Sequence, residues 1–468
     1  MSEVIVSPDC SSRPSGRSTP PVTRAAHLLF DAFLILALSV PSLTSGPLNW
    51  LPILRFNGLA EGDLGVGPLV LLPVAALGAW ILSRLTDGDP RPWRWGITKV
   101  TLPLAGLTVA TCLGLEPRPT RRTIVVLLML LITWWVYLFV LNEEPGLAVP
   151  ASAVLLVQGC VALGQFILQG DLGLQWMGEP ALDPQLSGTS VLFARGHRWL
   201  RPYGLTGHPN LLGATLAALL LLLVAETDAG RRGSRVWFTA AASAGVLGLL
   251  VTFSRGSWLA FSVGLTSWGV WRILSDANPL TLPQLGSRRA VGRMFSDHLH
   301  IILPAALAVL FLVSTHDLVL SRFLHLDTAV EAPSIEHRET DARLAIRLIR
   351  RHPWTGVGTQ NYLPAVRAVE PDSRTVHNVL LLTGAELGLP GAVLWLWLTA
   401  AVLARPSSRT WAAWVALTVA GLFDVAVHPT NNWFASVLLG LTAAGAAAPR
   451  ARAPNTQMES EGRRMESA

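Results

Sequence analysis

Lysine is almost missing from this 468-residue sequence, with Lys99 its only example, and cysteine and tyrosine occur three times each. Each shortage excludes something. Cys10, Cys112 and Cys160 lie far apart without paired spacing, which removes a disulfide framework and a thiolate metal site. Basic charge is therefore arginine, a planar and durably charged anion binder, although base composition is the better account of such a bias. Charged residues make up only 14% of the chain. No Ser-His-Asp set, Walker loop or clustered His/Cys pattern is found, so neither a metal nor a cofactor is expected. Asp87-Gly88-Asp89 resembles the carboxylate pair of nucleotide-sugar transferases, but reads better as a polar turn before Pro90.

What the sequence does have is apolar length. Hydrophobic residues reach 51% and come in blocks near the roughly 20 residues that a helix needs to cross a bilayer. The blocks lack the period-two alternation of an outer-membrane strand, and a span in lipid must satisfy its own backbone, so the expected fold class is an all-α polytopic membrane protein. About twelve spans are expected, at 26–44, 65–83, 97–115, 123–141, 147–168, 210–225, 236–253, 257–274, 298–313, 378–403, 410–427 and 433–448. Residues 1–25 read as a disordered cytoplasmic tail, 26–449 as the transmembrane domain and 450–468 as a second cytoplasmic tail. The first span has no cleavage site behind it and reads as an uncleaved anchor.

Arginine placement sets the orientation. Arg84, Arg91, Arg94, Lys99, Arg231, Arg232, Arg235, Arg405 and Arg409 fall in short loops on the side of the N-terminus, against Arg55, Arg118, Arg121, Arg122 and Arg255 opposite, which puts both termini in the cytoplasm. The net charge of +6 is thus divided across a membrane, and no basic, aromatic-interleaved module points to nucleic acid. Two connections are long, 169–209 and 314–377, and both fall on the outer side, where long loops are usually functional. The second contains "DARLAIRLIRRHPW", with Arg343, Arg347, Arg350 and Arg351 on one helical face and Leu344, Leu348 and Ile349 on another. Such a helix suits a membrane surface or an ordinary solvated face equally.

Polar residues gather beside the outer ends of the spans. "RWLRPYGLTGHPNLLG" brings Arg198, Arg201, His208 and Asn210 to a helix start, where free N–H groups favour an anion; for His208, capping is the preferred role. Arg255, in "TFSRGSWLAF", is open between anion binding and snorkelling to headgroups. His377 can serve as base or hydrogen-bond donor, whereas Asn378 can simply cap the next helix. Glu386 is half a turn out of phase with His377, so the two do not pair directly, and Gly388 and Gly391 offer a small face for helix packing. Asp424 and His428, four apart, are candidates for a structural pair.

Taken in order, "RPYGLTGHPNLLG", "TFSRGSWLAF", "RLAIRLIRRHPWTGVGTQNY" and His377-Asn378, followed after nine residues by Gly388-x-x-Gly391, resemble the O-antigen ligase and polymerase superfamily of bacterial membrane glycosyltransferases. The resemblance implies a C-type glycosyltransferase-like fold in the cytoplasmic (inner) membrane. It implies transfer of a glycan from undecaprenyl diphosphate to an acceptor hydroxyl on the periplasmic or outer face, without metal or nucleotide sugar. Arg201 and Arg255 match the arginines expected on the diphosphate, and His377 the histidine near the acceptor; Arg198, His208, Asn210, Asn378, Glu386 and Arg347 are supporting candidates. The acceptor is left open between lipid A core, a growing polysaccharide and a protein hydroxyl. A polysaccharide polymerase of the same superfamily and a transporter or flippase of lipid-linked sugars are the alternatives, the latter disfavoured because no internal repeat is evident.

Overall fold

A computed structural model describes residues 20–39, 54–56, 64–66, 68–86, 92–117, 120–228, 234–275, 288–324, 331–425, 428–430 and 432–448. The terminal tails beyond these limits, Asp87-Gly88-Asp89, Cys10 and Arg118 lie outside the described residues. The chain runs α1 (Pro21–Ser39), β1 (Leu54–Phe56), β2 (Leu64–Val66), α2 (Pro68–Thr86), α3 (Thr98–Leu113), α4 (Arg121–Glu143) and α5 (Ala148–Leu168). Next come β3 (Val191–Ala194), β4 (His197–Leu200), α6 (Pro209–Asp228), α7 (Arg235–Val251), α8 (Arg255–Ser275), α9 (Arg288–Ser314) and α10 (His316–Leu324). It closes with α11 (Glu331–Arg351), α12 (Tyr362–Arg367), α13 (Val379–Leu403), α14 (Trp411–Gly421) and α15 (Trp433–Ala447).

The protein is a helical membrane protein. By length and composition, the five helices α1, α4, α5, α6 and α13 can cross a bilayer. The pair Ile301–Ser314 and His316–Phe323, bent by 76°, makes a sixth if it counts as one span. Shorter apolar helices lie at Leu72–Thr86 and in α3, α7, α14 and α15, so among the described residues five or six of the expected twelve crossings have the length and apolarity of a full span. The two hairpins, β1 with β2 and β3 with β4, depart from a purely helical reading.

Helix α6 sits at the centre, apolar all round and buried on most positions among α5, α7, α8 and α14. Close approach around it depends on small residues: a Cβ on Gly248 of α7 would stand 2.8 Å from the Cα of Gly159 of α5. Side-chain caps start the flanking helices, with Thr120 accepting from Thr123 N at 3.0 Å, Asn378 from Leu381 N at 2.9 Å and Asn432 from Ala435 N at 2.8 Å.

The two long connections are structured. In the first, β3 and β4 pair antiparallel from Val191↔Leu200 to Ala194↔His197, joined by a two-residue turn. Arg195 and Gly196 both take positive φ there, 55° and 76°, as a tight hairpin turn with the strand twist requires. In the second connection α11 is amphipathic as the sequence indicates, and most of its apolar face packs against the protein itself. Leu344, Ala345 and Leu348 are buried with Leu382 and Ala385 of α13, while Arg343, Arg347, Arg350 and Arg351 stay exposed.

Gly388 has a different use from the expected packing face. It breaks α13 at φ 71°, ψ −174°. The segment that follows α11 crosses in that break, with Leu389 N donating to Pro353 O at 2.7 Å, Val357 N to Ala385 O at 2.9 Å and Gly358 N to Glu386 O at 3.0 Å. Backbone groups freed by the break are thereby satisfied. A Cβ on Gly388 would meet the Trp354 carbonyl carbon at 2.7 Å.

Candidate functional site

A cavity of about 600 Å³ opens at the end of the bundle where α6, α8 and α13 begin. Six arginines line it, Arg198, Arg201, Arg255, Arg322, Arg338 and Arg374, against a single carboxylate, Asp424, with His208, Asn210 and His377 beside them. Residues far apart in sequence meet here because four connections share this end: the β3–β4 segment, the α7–α8 turn, the α10–α12 region and the segment after α14.

The α7–α8 turn organises the arginines. Phe253 adopts φ 48°, a left-handed conformation that costs a bulky residue on the order of 1–3 kcal/mol and needs its surroundings to hold it. The ring supplies that hold, buried against Phe166, Trp258 and Phe311. The turn's carbonyls then face the cavity. Thr252 O accepts from Arg201 Nε at 2.9 Å and Phe253 O from Arg322 Nε at 3.2 Å, while Arg255 Nη1 donates to Arg322 O at 2.8 Å. At the hairpin end, Arg198 Nε donates to Pro184 O at 2.6 Å. Carbonyl partners orient a guanidinium but leave its charge in place.

A chain of side chains crosses the cavity from Arg201 to His377. Arg201 Nη2 donates to Asn210 Oδ1 at 2.7 Å, and Asn210 Nδ2 donates to Asp424 Oδ2 at 2.7 Å. The same Asp424 oxygen stands 3.8 Å from His377 Nδ1, within ion-pair reach but beyond a hydrogen bond. Burial pushes Arg201 down to about 10, still well above neutral, so it remains a cation. Burial works to raise Asp424, but the neighbouring His377 and the Asn210 amide outweigh it and hold the carboxyl below its usual range.

His208 caps the start of α6. Its Nδ1 accepts from Asn210 N at 3.2 Å, which leaves Nε2 to carry the ring proton toward Ser190 Oγ, also at 3.2 Å. Burial, with Arg201 close by, lowers His208 to about 4 and keeps it neutral. Asn378 caps α13 and also donates from Nδ2 to Leu422 O at 3.2 Å, tying the His377 segment to the end of α14.

Residues 238–396 match the model of the O-antigen ligase family. They form an O-antigen ligase-family domain. No curated protein matches the chain. The domain supplies Arg255, Arg322, Arg338, Arg374 and His377, while Arg198, Arg201, His208 and Asn210 precede it and Asp424 follows it. The cavity is thus completed by helices on both sides of the matched region.

Three candidates from the sequence do not line the cavity: Asn378, the cap of α13, Glu386 and Arg347. Glu386 is buried on another side of α13, where its carboxylate accepts from the backbone N–H groups of Gln360 and Tyr362 and anchors the start of α12. Arg347 points outward from α11. The Asp424–His428 pair is corrected: α14 ends at Gly421, so four-residue helical spacing does not apply, and His428 sits between Thr383 Oγ1 at 3.2 Å and Thr430 Oγ1 at 2.9 Å. Sequence reasoning missed Arg322, Arg338, Arg374 and the role of Asp424 in the site. An acidic residue inside the apolar run "GLFDVAVH" was the available signal. Among the described residues no group of three or more His, Cys, Asp or Glu is placed to hold a metal ion.

Proposed function

We propose that the protein is an O-antigen ligase-like glycosyltransferase that moves a glycan from undecaprenyl diphosphate to an acceptor hydroxyl, with Arg201, Arg255 and Arg322 holding the diphosphate and His377 facing the acceptor. The observation that carries this reading is the arginine-rich cavity: six guanidiniums line one partly dehydrated cleft, three of them oriented by hydrogen bonds to backbone carbonyls, and such a set favours an anion. As the glycosidic C–O bond breaks, its electron pair leaves on the diphosphate oxygen, where those cations stabilise the growing charge. The acceptor oxygen forms the new bond to the anomeric carbon from the opposite face, inverting it, and its proton passes to His377. Asp424, 3.8 Å from His377 Nδ1, places a negative charge beside the ring that receives the proton. On this reading the cavity end of the bundle is the outer, periplasmic face of the cytoplasmic membrane, both termini are cytoplasmic, and twelve helices alternate in direction.

The test is reconstitution of the purified protein in lipid with a labelled undecaprenyl diphosphate oligosaccharide and candidate acceptors, beside a His377→Ala control. Label transferred by the wild type and lost in the control supports the assignment and names the acceptor class. Donor that crosses the bilayer of sealed vesicles without transfer would replace it with a flippase.

A further inference from the structure

The six arginines divide into two sets. Arg198, Arg201, Arg255 and Arg322 each donate to a backbone carbonyl. Arg338, from α11, and Arg374, three residues before His377, line the same cavity at its exposed mouth. Neither guanidinium hydrogen-bonds or ion-pairs with a described residue; Asp424 acts on Arg338 at longer range, and Asp341 accepts from Arg374 N at 3.3 Å without pairing with the Arg374 guanidinium. Two cations facing one opening with no counter-charge in contact repel each other unless an anion comes between them.

Charge balance gives the same direction. Among the described residues the lining of the cavity holds six guanidiniums and one carboxylate, that of Asp424. Each phosphorus of a diphosphate diester carries one ionised oxygen, so one lipid diphosphate does not by itself engage six guanidiniums. Arg338 stands within electrostatic reach of Asp424 as well as of Arg255, and Arg374 lies three residues before His377, so both reach the His377 side of the cavity.

We propose that Arg338 and Arg374 form a second anion subsite, which takes a carboxylate or phosphate group on the acceptor glycan. This rests on the reading of His377 as the acceptor-facing group. Arg374 and His377 belong to one short segment immediately before the cap of α13, so an anionic group held by Arg374 and Arg338 fixes the distance of a nearby hydroxyl from the imidazole. The enzyme would then select an acidic acceptor over a neutral one by an attractive contact, and a neutral acceptor would leave two guanidiniums without a partner.

The test uses the full-length protein in lipid nanodiscs and matched oligosaccharides that differ in one group: a hexuronic acid, a phosphomonoester, or the neutral hexose. Binding is measured first, without donor. The acidic ligands should bind about tenfold or more tightly than the neutral one, a typical return for a bidentate charge-assisted contact. That advantage should collapse in an Arg338→Gln/Arg374→Gln protein and weaken with salt. Equal affinity for acidic and neutral ligands, or an advantage that persists in the double variant, would overturn the subsite. The carboxylate and phosphate arms decide which group it takes. Transfer from labelled lipid diphosphate is then compared with the acid placed on the acceptor or on the donor glycan; a preference that follows the donor would remove the acceptor assignment. Absent transfer with the binding preference intact would sink the ligase reading while leaving the anion subsite standing.

Discussion

At the end of the bundle where α4 finishes and α5 begins, Arg94 pairs with Glu144 at 2.6 Å, Arg272 with Asp228 at 3.0 Å, Arg409 with Glu226 at 3.3 Å and Arg84 with Glu143 at 3.9 Å. In the cavity at the other end, four of the six lining arginines donate to backbone carbonyls, two stand at the mouth, and Asp424 is the one carboxylate in the lining. Both ends carry arginine at helix termini, so residue type does not separate them. The partners do. A carboxylate cancels the charge and turns arginine into a structural tie, whereas a carbonyl fixes direction and preserves the charge for a ligand.

That difference is breakable. The largest effect is expected from Arg409→Leu, which takes the guanidinium from the fully buried Glu226 carboxylate, and Pro145 O loses that donor as well. Loss of one partner of a buried pair should lower stability by about 3 kcal/mol, read as a drop in unfolding temperature, while transfer per folded molecule stays near wild type. Arg322→Ala should do the reverse: on the order of 10²-fold slower transfer, as for other lost transition-state donors, with little change in unfolding temperature. If both variants lose stability and neither loses rate selectively, the two ends are not different in kind.

Gly388→Ala sharpens the comparison from inside one helix. Its positive φ and the nearby Trp354 carbonyl carbon should make the substitution cost on the order of 2 kcal/mol, and the displaced first half of α13 should carry His377 with it. Transfer and unfolding temperature should therefore fall together. The smallest effect is one of pH. Asp424 is held below its ordinary value when folded, so its contribution is complete above the unfolded value near 4 and fades as pH falls through the lower folded value. Wild type should lose on the order of 1 kcal/mol across that acid window, and Asp424→Asn should show a flatter profile there.

Much of this was legible in the sequence because it was local. Apolar blocks marked the helices, and Arg201, Asn210, Arg255 and His377 were conspicuous as polar groups beside them; the structure brings these four into one cavity. What was not legible depended on long-range contact. Arg322 reaches the site only because α10 folds back beneath the β3–β4 hairpin, where Arg195 pairs with Asp317 and Leu318 packs with Leu192. Arg338 lies on α11 just ahead of the arginine stripe that drew attention. Asp424 was misassigned because α14 was expected to run to 427, when it stops at Gly421 and frees the carboxylate to cross toward Asn210. The break at Gly388 likewise has no signal of its own; it takes its meaning from the 353–358 segment that occupies it.

The central claim is that the cavity arginines serve the donor diphosphate and not the fold. It is tested most directly by transfer from labelled undecaprenyl diphosphate oligosaccharide, with Arg201→Ala and Arg255→Ala compared at equal amounts of folded protein in lipid. The account predicts that each variant inserts and unfolds near wild type yet transfers on the order of 10²-fold more slowly. Full transfer by both variants would contradict it.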